Sequence, residues 1–423
     1  MSKRIAILIS SLLLVTSLVS AEQVTLRFFH RWPQEPRKSY YDALVAEFER
    51  QNPDIKIVMD SVVNDSYKEK IRVLVSSDDI PDVFCSWSDS FAYNLVKSGR
   101  IKPLNDMLAK DKAFADRFIQ SQVKSFTFDG KIYGLPQTMD GKVFVYNKEI
   151  FDKAGITKMP PSNYDELIAL FETLQKKGYK VPILEGLQDP WTISHYLGSM
   201  FQLYLPASVT QKDYAEETGA FTDPGYKVVL ERFMQIVSYM GPNATSMTHT
   251  DVRNLFTTGR LPMMYVQIGE FGLMRKSNPN LKYGYFAFPP FKDGKGEVGY
   301  IEGAPEGFMM SSTCKNPEAA EKFLKFIFSQ ENAQKFVKDI GAPVAIKGAV
   351  TKENSFPELL DAVEMLNEAK GMVPWFDNAV NIKVADAFMR GCQALATKDK
   401  TIDQVMADVQ TAAKIVASEA KKK

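Results

Sequence analysis

Four tryptophans are the residues of this 423-residue chain best suited to hold a flat molecule: Trp32, Trp87, Trp191 and Trp375. An indole is the widest apolar plate that a side chain offers. None of the four falls on the apolar stripe of a clear helix pattern. Trp32 follows a strand pattern at 24–29, and Trp87 follows one that ends at Cys85. Trp191 comes just after Asp189-Pro190, and Trp375 just after Pro374. Strand ends are where ligands bind in open α/β sheets. Polar groups come from the same segments. Asp89 lies two residues beyond Trp87, His195 one helical turn beyond Trp191, and Asp377 and Asn378 follow Trp375. Gln267 and Glu270 follow a strand pattern at 263–266. A carboxylate or amide can take two hydroxyl bonds. Plates combined with such groups suit a sugar, which presents a flat C–H face and a rim of hydroxyls. One tryptophan could simply plug a loop against the core; four in this setting argue for a shared site. Arg31 and Arg37, near Trp32, would suit an anionic sugar or a phosphate.

Other chemistry is poorly provided for. A glycoside hydrolase needs two carboxylates flanking one bond; acids are plentiful, but no spacing along the chain singles out a pair. There is no G-x-S-x-G elbow and no P-loop. His30, His195 and His249 are far apart, with no H-x₃-H pair for a metal. Residues 294–299 match G-x-G-x-x-G, but they follow Pro289-Pro290 and open no helix pattern, so they read as a hairpin or loop. Cys85, Cys314 and Cys392 leave at least one thiol free, match no zinc spacing and read as small buried hydrophobes. No cofactor, no metal and no enzymatic activity are expected.

Strand and helix patterns alternate along the chain, which points to an α/β fold. Strand patterns at 24–29, 55–59 and 82–85 enclose two helices. In the first, Tyr41, Leu44, Val45 and Phe48 share one face, and Asn52-Pro53 ends it; the second covers 67–75. Ser162 and Asp165 have capping-box spacing ahead of Leu167, Leu170, Phe171 and Leu174, and Gly178 closes that helix. Asp223-Pro224 and Asn316-Pro317 open two more, with Phe233, Ile236, Val237 and Met240 inward in one and Ala320, Phe323, Leu324, Ile327 and Phe328 in the other. Thr401 and Gln404 open the last, with Val405, Val409, Ala412 and Val416 inward.

The length exceeds one compact core, so two lobes are expected. Without a repeat or long linker, the chain must pass between them by short crossings. Hydrophobic residues make up 45% and charged residues 24%, as in ordinary soluble domains. A net charge of +1, with no block of one sign except the last three lysines, argues against nucleic acid, which requires a concentrated basic face. Lys3 and Arg4, an apolar stretch at 5–15 and Val19-Ser20-Ala21 read as an export signal cut after Ala21. The stretch is short for a membrane span, and with no cysteine near the cut no lipid anchor is expected. Removing the signal leaves a charge of −1.

Five segments, in order, carry a resemblance to a known family: LVAEFERQNPDIKIVMDSV, IPDVFCSWSDSFAYNLVKSGRIKPLND, DGKIYGLPQTMDGKVFVYNKEIFDKAGI, LFTTGRLPMMYV and APEGFMMSSTCKNPEAAEKFLKFIFSQENAQKF. They resemble the bacterial extracellular solute-binding proteins, family 1, of ABC transporters, the branch that includes maltose-type carbohydrate receptors. The resemblance implies a two-lobed α/β periplasmic-binding-protein fold of type II, each lobe a mixed sheet flanked by helices, with the ligand cleft between them. Lobe 1 would take 22–136 plus 306–343, and lobe 2 would take 137–305 plus 344–423, with crossings near 136–140, 303–306 and 342–345. Gln137 and Asp140 would then lie at the first crossing, and Glu302 and Glu306 would flank the second. The implied role is capture of a sugar or oligosaccharide in the periplasm by a monomer. The ligand would pass to permease subunits at the inner membrane, with no nucleic acid and no cofactor involved. Where the family often carries an aromatic, residues 267–270 read Gln-Ile-Gly-Glu, which leaves a sugar phosphate or other anionic solute as an alternative ligand. A secreted carbohydrate-active enzyme is the third alternative.

Overall fold

Leu26 and Phe28 point into the core while Thr25 and Arg27 stay outside. Past them Phe29 and His30 are buried as well, as residues of a central parallel strand are; together they form β1 (Val24–His30). A computed structural model describes residues 23–422; the expected export signal lies outside them. The helix Arg37–Gln51 packs Tyr40, Tyr41, Leu44, Val45 and Phe48 inward and leads to β2 (Ile55–Ser61), parallel to β1. The helix Asn64–Val75 leads to β3 (Val83–Trp87), buried along its whole length and parallel to β1 on its other side. A short hairpin, β4 (Thr127–Phe128) with β5 (Lys131–Ile132), precedes β6 (Gly134–Pro136).

The chain then crosses to a second sheet of β7 (Lys142–Asn147), β8 (Met263–Gln267) and β9 (Tyr283–Phe286), in the order β8-β7-β9. Its three strands are antiparallel, and a single parallel bridge from Ile183 to Met263 makes it mixed only at one edge. β10 (Tyr300–Glu302) pairs with β12 (Gly371–Val373), and between them β11 (Glu306–Met310) returns to the first sheet. β11 lies antiparallel between β3 and β6, which gives the mixed order β2-β1-β3-β11-β6. Helices flank both sheets, and the fold is the two-lobed α/β architecture expected.

Local signals hold with small shifts. Asn163, not Ser162, caps the helix Tyr164–Lys176: its side chain accepts from the N–H of Glu166 at 3.1 Å, while the Ser162 N–H donates to the Glu166 carboxylate. Asn is among the preferred caps, and the acid that closes the exchange sits one residue later than Asp165. Thr401 and Gln404 form their capping box, but in that helix Ala413 is the fully buried alanine and Ala412 only half-buried. The glycines at 294–299 lie in a loop, and the next element is a strand, not a helix. Cys85, Cys314 and Cys392 are free thiols, the first and last buried and Cys314 half-buried. No helix among the described residues is long and apolar enough to cross a membrane.

The first two crossings occupy 137–141 and 303–305. The third segment begins beside the first crossing, where Val344 bridges Thr138 and the Ala345 N–H donates to the Gln137 carbonyl. It then continues along the first lobe: Ile346 bridges Phe118, the Lys347 N–H donates to the Arg117 carbonyl, and Asn354 donates to the Gln334 carbonyl. We therefore place the return to the second lobe between Asn354 and Pro357 rather than at 344. The first two crossings touch backbone to backbone at Gly303, where a Cβ would overlap the Asp140 carbonyl. A carbonyl fixed between two strands cannot move aside as a flexible side chain would. Gly303→Ala is expected to lower stability by about 1–3 kcal/mol through overpacking, read as a fall in the urea midpoint without a change in slope.

Candidate functional site

All four tryptophans, drawn from four distant chain segments, line one cleft of about 740 Å³ where the two lobes face each other. That volume falls in the range of small-molecule sites, roughly 300–1,000 Å³. On the first-lobe wall, Trp32 just past β1 stacks on Tyr41 at 5.2 Å and 13°. Trp87 ends β3. The Arg31 guanidinium lies within 5.1 Å of the Trp32 ring centre and 5.0 Å of Trp87, and it also pairs with Glu306 at the head of β11. Arg37 lies 4.8 Å over Trp32, and Lys68 lies 4.8 Å over Trp87. The first-lobe plates are thus overlaid by cations, at typical cation–π distances.

The second-lobe wall is built differently. Trp191 sits in the first turn of the helix Pro190–Tyr204, and its ring tilts against His195 at 5.1 Å and His249 at 4.8 Å. His195, four residues later on the same helix face, stacks on Trp375 at 4.1 Å and 27°. Burial, with Lys142 and Lys68 adding to it, drives the His195 pKa well below its ordinary value, so the imidazole is neutral. Its Nδ1, the Nε1 of Trp32 and both side-chain amide atoms of Asn378 are buried with no hydrogen-bond partner in the protein. Unpaired buried polar atoms are costly, and here they belong to three residues that line the cleft.

Of the fourteen residues expected at the site, eleven line the cleft: Trp32, Trp87, Asp140, Trp191, His195, Gln267, Glu270, Glu306, Trp375, Asp377 and Asn378. Three lie elsewhere. Gln137 is buried in the first crossing, accepting from the Tyr41 hydroxyl at 2.6 Å, so it braces the shelf under Trp32. Glu302 is buried beneath the second-lobe wall, where it accepts from the Ser199 N–H and hydroxyl at 3.0 and 2.7 Å and from the Phe376 N–H. It holds the segment that carries Trp375. Asp89 turns back to the Ser88 hydroxyl at 2.6 Å, and burial pushes its carboxyl up to about 6. Several cleft carboxylates are also occupied from within. Asp377 accepts from Ser194 with one oxygen and from Lys68 with the other, tying the first lobe to the second.

The model of the bacterial extracellular solute-binding proteins matches residues 32–334, well over half of the chain. The chain belongs to that family. A binding protein of Brucella abortus is 29% identical over 311 residues, 71% of each chain. The multiple sugar-binding protein of Streptococcus mutans is 24% identical over 354 residues, covering 79% of this chain and 78% of its own. A solved chitin oligosaccharide binding protein superposes with a TM-score of 0.85 at 25% identity, covering 94% of this chain and all of its own.

The second-lobe wall of this solute-binding protein also holds a charge network, of which sequence analysis named only Glu270 as a site residue. His249 Nδ1 meets Glu185 at 2.8 Å, its Nε2 meets Glu270 at 2.9 Å, and Arg253 pairs with Glu270 from the next turn. Thr248 and Asp251 form a capping box that sets His249 on the first turn of its helix; that T-x-x-D spacing was the available signal. Lys68 gave none, being one cation on the polar side of a helix. Burial works against charge on His249, but Glu270 and then Glu185 outweigh it and raise its pKa to about 9. Glu270 itself is held well below the carboxylate range: His249 and Arg253 overcome the opposing effect of burial. Because the folded pKa of His249 exceeds its unfolded value, its contribution is complete below about pH 6.5 and is lost as pH rises through about 9. Urea unfolding from pH 6.5 to 9.5 should show that decline. His249→Leu should flatten it and cost about 3–5 kcal/mol at pH 7, since the buried Glu185 would lose its partner while Glu270 kept only Arg253.

Proposed function

We propose that this solute-binding protein captures a sugar or oligosaccharide in its cleft and delivers it to the permease of an ABC transporter. The observation that carries the proposal is the meeting of four indoles from four separate segments in one hollow, whose lining residues Trp32, His195 and Asn378 also hold unpaired hydrogen-bonding atoms. Flat C–H faces stack on such plates, and hydroxyls satisfy the unpaired atoms. The names of the relatives support the same class of ligand: one binds multiple sugars and another chitin oligosaccharide. Ligand contact with both walls would favour the closed arrangement, because a ligand shifts a two-state balance only by binding one state more tightly. Closure already has protein contacts to build on, among them Lys68 to Asp377 and the Ser90 hydroxyl to the Ala379 carbonyl.

We take the protein to be a transport receptor without enzymatic activity. Three cleft carboxylates, Glu306, Glu270 and Asp377, are each held by a cation, a poor arrangement for proton transfer to a glycosidic oxygen. A monomer acting in the periplasm after loss of a leader fits the family. Tryptophan fluorescence tests the whole proposal: neutral oligosaccharides should shift the emission reversibly and be recovered unchanged. Consumption of the ligand over time would point to an enzyme instead. Trp191→Ala and Asn378→Ala should each weaken oligosaccharide binding by about 1–3 kcal/mol, measured by calorimetry. Unchanged affinity in both would remove the second-lobe wall from the site.

A further inference from the structure

The cleft cations are matched to carboxylates with one exception. Arg31 pairs with Glu306, Lys68 with Asp377 and Arg253 with Glu270. Arg37 lines the same cleft and makes no ion pair among the described residues, and its Nη1 is buried without a hydrogen-bond partner. Its guanidinium lies over Trp32 at 4.8 Å and near Phe336 at 5.3 Å. A guanidinium laid on a ring keeps its N–H groups free at the edge, where a carboxylate can be gripped by two parallel bonds. Burial lowers its pKa, but arginine starts so high that it stays charged. Asp140 and Glu306 both act on it from the crossings, yet Glu306 belongs to Arg31. Burial pushes Asp140 up to about 7, so that it carries only part of a charge at neutral pH.

A second observation points the same way. Arg37 opens the helix Arg37–Gln51, whose N-cap Pro36 makes no side-chain cap bond and whose first turn holds no acid. Glu35 reaches one N–H of that turn, that of Ser39 at 3.3 Å, from an exposed position on the rim. The Lys38 and Tyr40 N–H groups donate to the Gln34 and Pro36 carbonyls, so this helix end adds the field of its dipole, not free donors, beside the unmatched guanidinium.

We propose that Arg37 and Trp32 form a subsite for a carboxylate-bearing sugar, so that the ligand is an acidic oligosaccharide with a uronic acid unit at the first-lobe wall. One unmatched positive charge calls for one negative charge. A carboxylate supplies that, whereas a phosphate monoester brings close to two charges. The subsite rests on the carbohydrate reading of the cleft and narrows it.

Calorimetry on the full chain can separate the two. The probes are a uronic acid disaccharide, the neutral disaccharide of the same linkage, and inorganic phosphate, each at low and high salt. The acidic disaccharide should bind about ten- to a hundred-fold more tightly than the neutral one, the worth of a hydrogen bond to a charged group. The preference should weaken at high salt. Arg37→Gln should bring the ratio close to one, and Arg37→Lys should restore part of it. If the wild type binds the neutral sugar as tightly as the acidic one, or Arg37→Gln keeps the preference, the anionic subsite is wrong and the carbohydrate reading stands. If phosphate binds while neither sugar does, both are wrong. A failure of the acidic disaccharide to bind also overturns the subsite. Thermal melting checks that Arg37→Gln is folded; if it is not, the wild-type ratio and its salt dependence decide.

Discussion

A buried charge is costly unless an opposite one offsets it: each isolated ion costs several kcal/mol to remove from water. That constraint shapes the cleft more than any other. Arg31 is held by Glu306, which arrives 275 residues later in the chain. Lys68 is held by Asp377, 309 residues away. His249 is held by Glu185 and Glu270 together. None of these walls can form by itself. The first-lobe plates are in place only when β11 has joined the first sheet, and Lys68 is matched only when the last third of the chain has packed against the second lobe. The site is thereby coupled to the completed fold.

The crossings obey a constraint of a different kind. They pass so close that Gly303 meets the Asp140 backbone, and Gly272 meets the Ile340 carbonyl where the second lobe rests on the end of the helix Gln330–Ile340. A glycine at each contact lets one backbone approach another without a side chain between them. Both glycines also donate backbone hydrogen bonds nearby: the Gly272 N–H to the Gly341 carbonyl, and the Gly303 N–H to the Val373 carbonyl. Any motion between the lobes would have to be absorbed by backbone torsions near these points.

Much of this was legible in the chain, and the divide between what was and what was not has a physical cause. Helix stripes and strand starts follow from local period and capping, so the elements fell within a few residues of their expected places. The tryptophans stood out because each broke the local apolar pattern, and all four reached the cleft. The identity of a charge's partner is not local. Asp377, Glu270 and Glu306 were read as ligand groups, and they do line the cleft, but the cations that hold them lie on other elements at separations no pattern reveals. Glu302 and Gln137 were placed correctly along the chain and wrongly in depth: both side chains turn into the protein, where Ser199 and Tyr41 were free to bond them.

The two walls are chemically unequal, and the inequality bears on how a ligand would lie. Indoles of the first lobe carry two guanidinium groups and an ammonium that line the cleft. In the second lobe Trp375 meets a neutral imidazole, His195, and Trp191 meets a histidine whose charge is spent on two carboxylates, with the buried Lys142 ammonium 5.2 Å from the Trp191 ring centre. Cations stacked on rings are pinned by them, and their N–H edges are the remaining handles, so the first wall grips the polar rim of a molecule. The second wall, with Trp191 half-exposed and the Asn378 amide unpaired, offers apolar face and hydrogen-bonding groups in the same cleft. A sugar chain satisfies both walls at once only if it lies flat on the second lobe and presents its most polar unit to the first. That orientation fixes direction along the cleft without requiring that every ring be recognised.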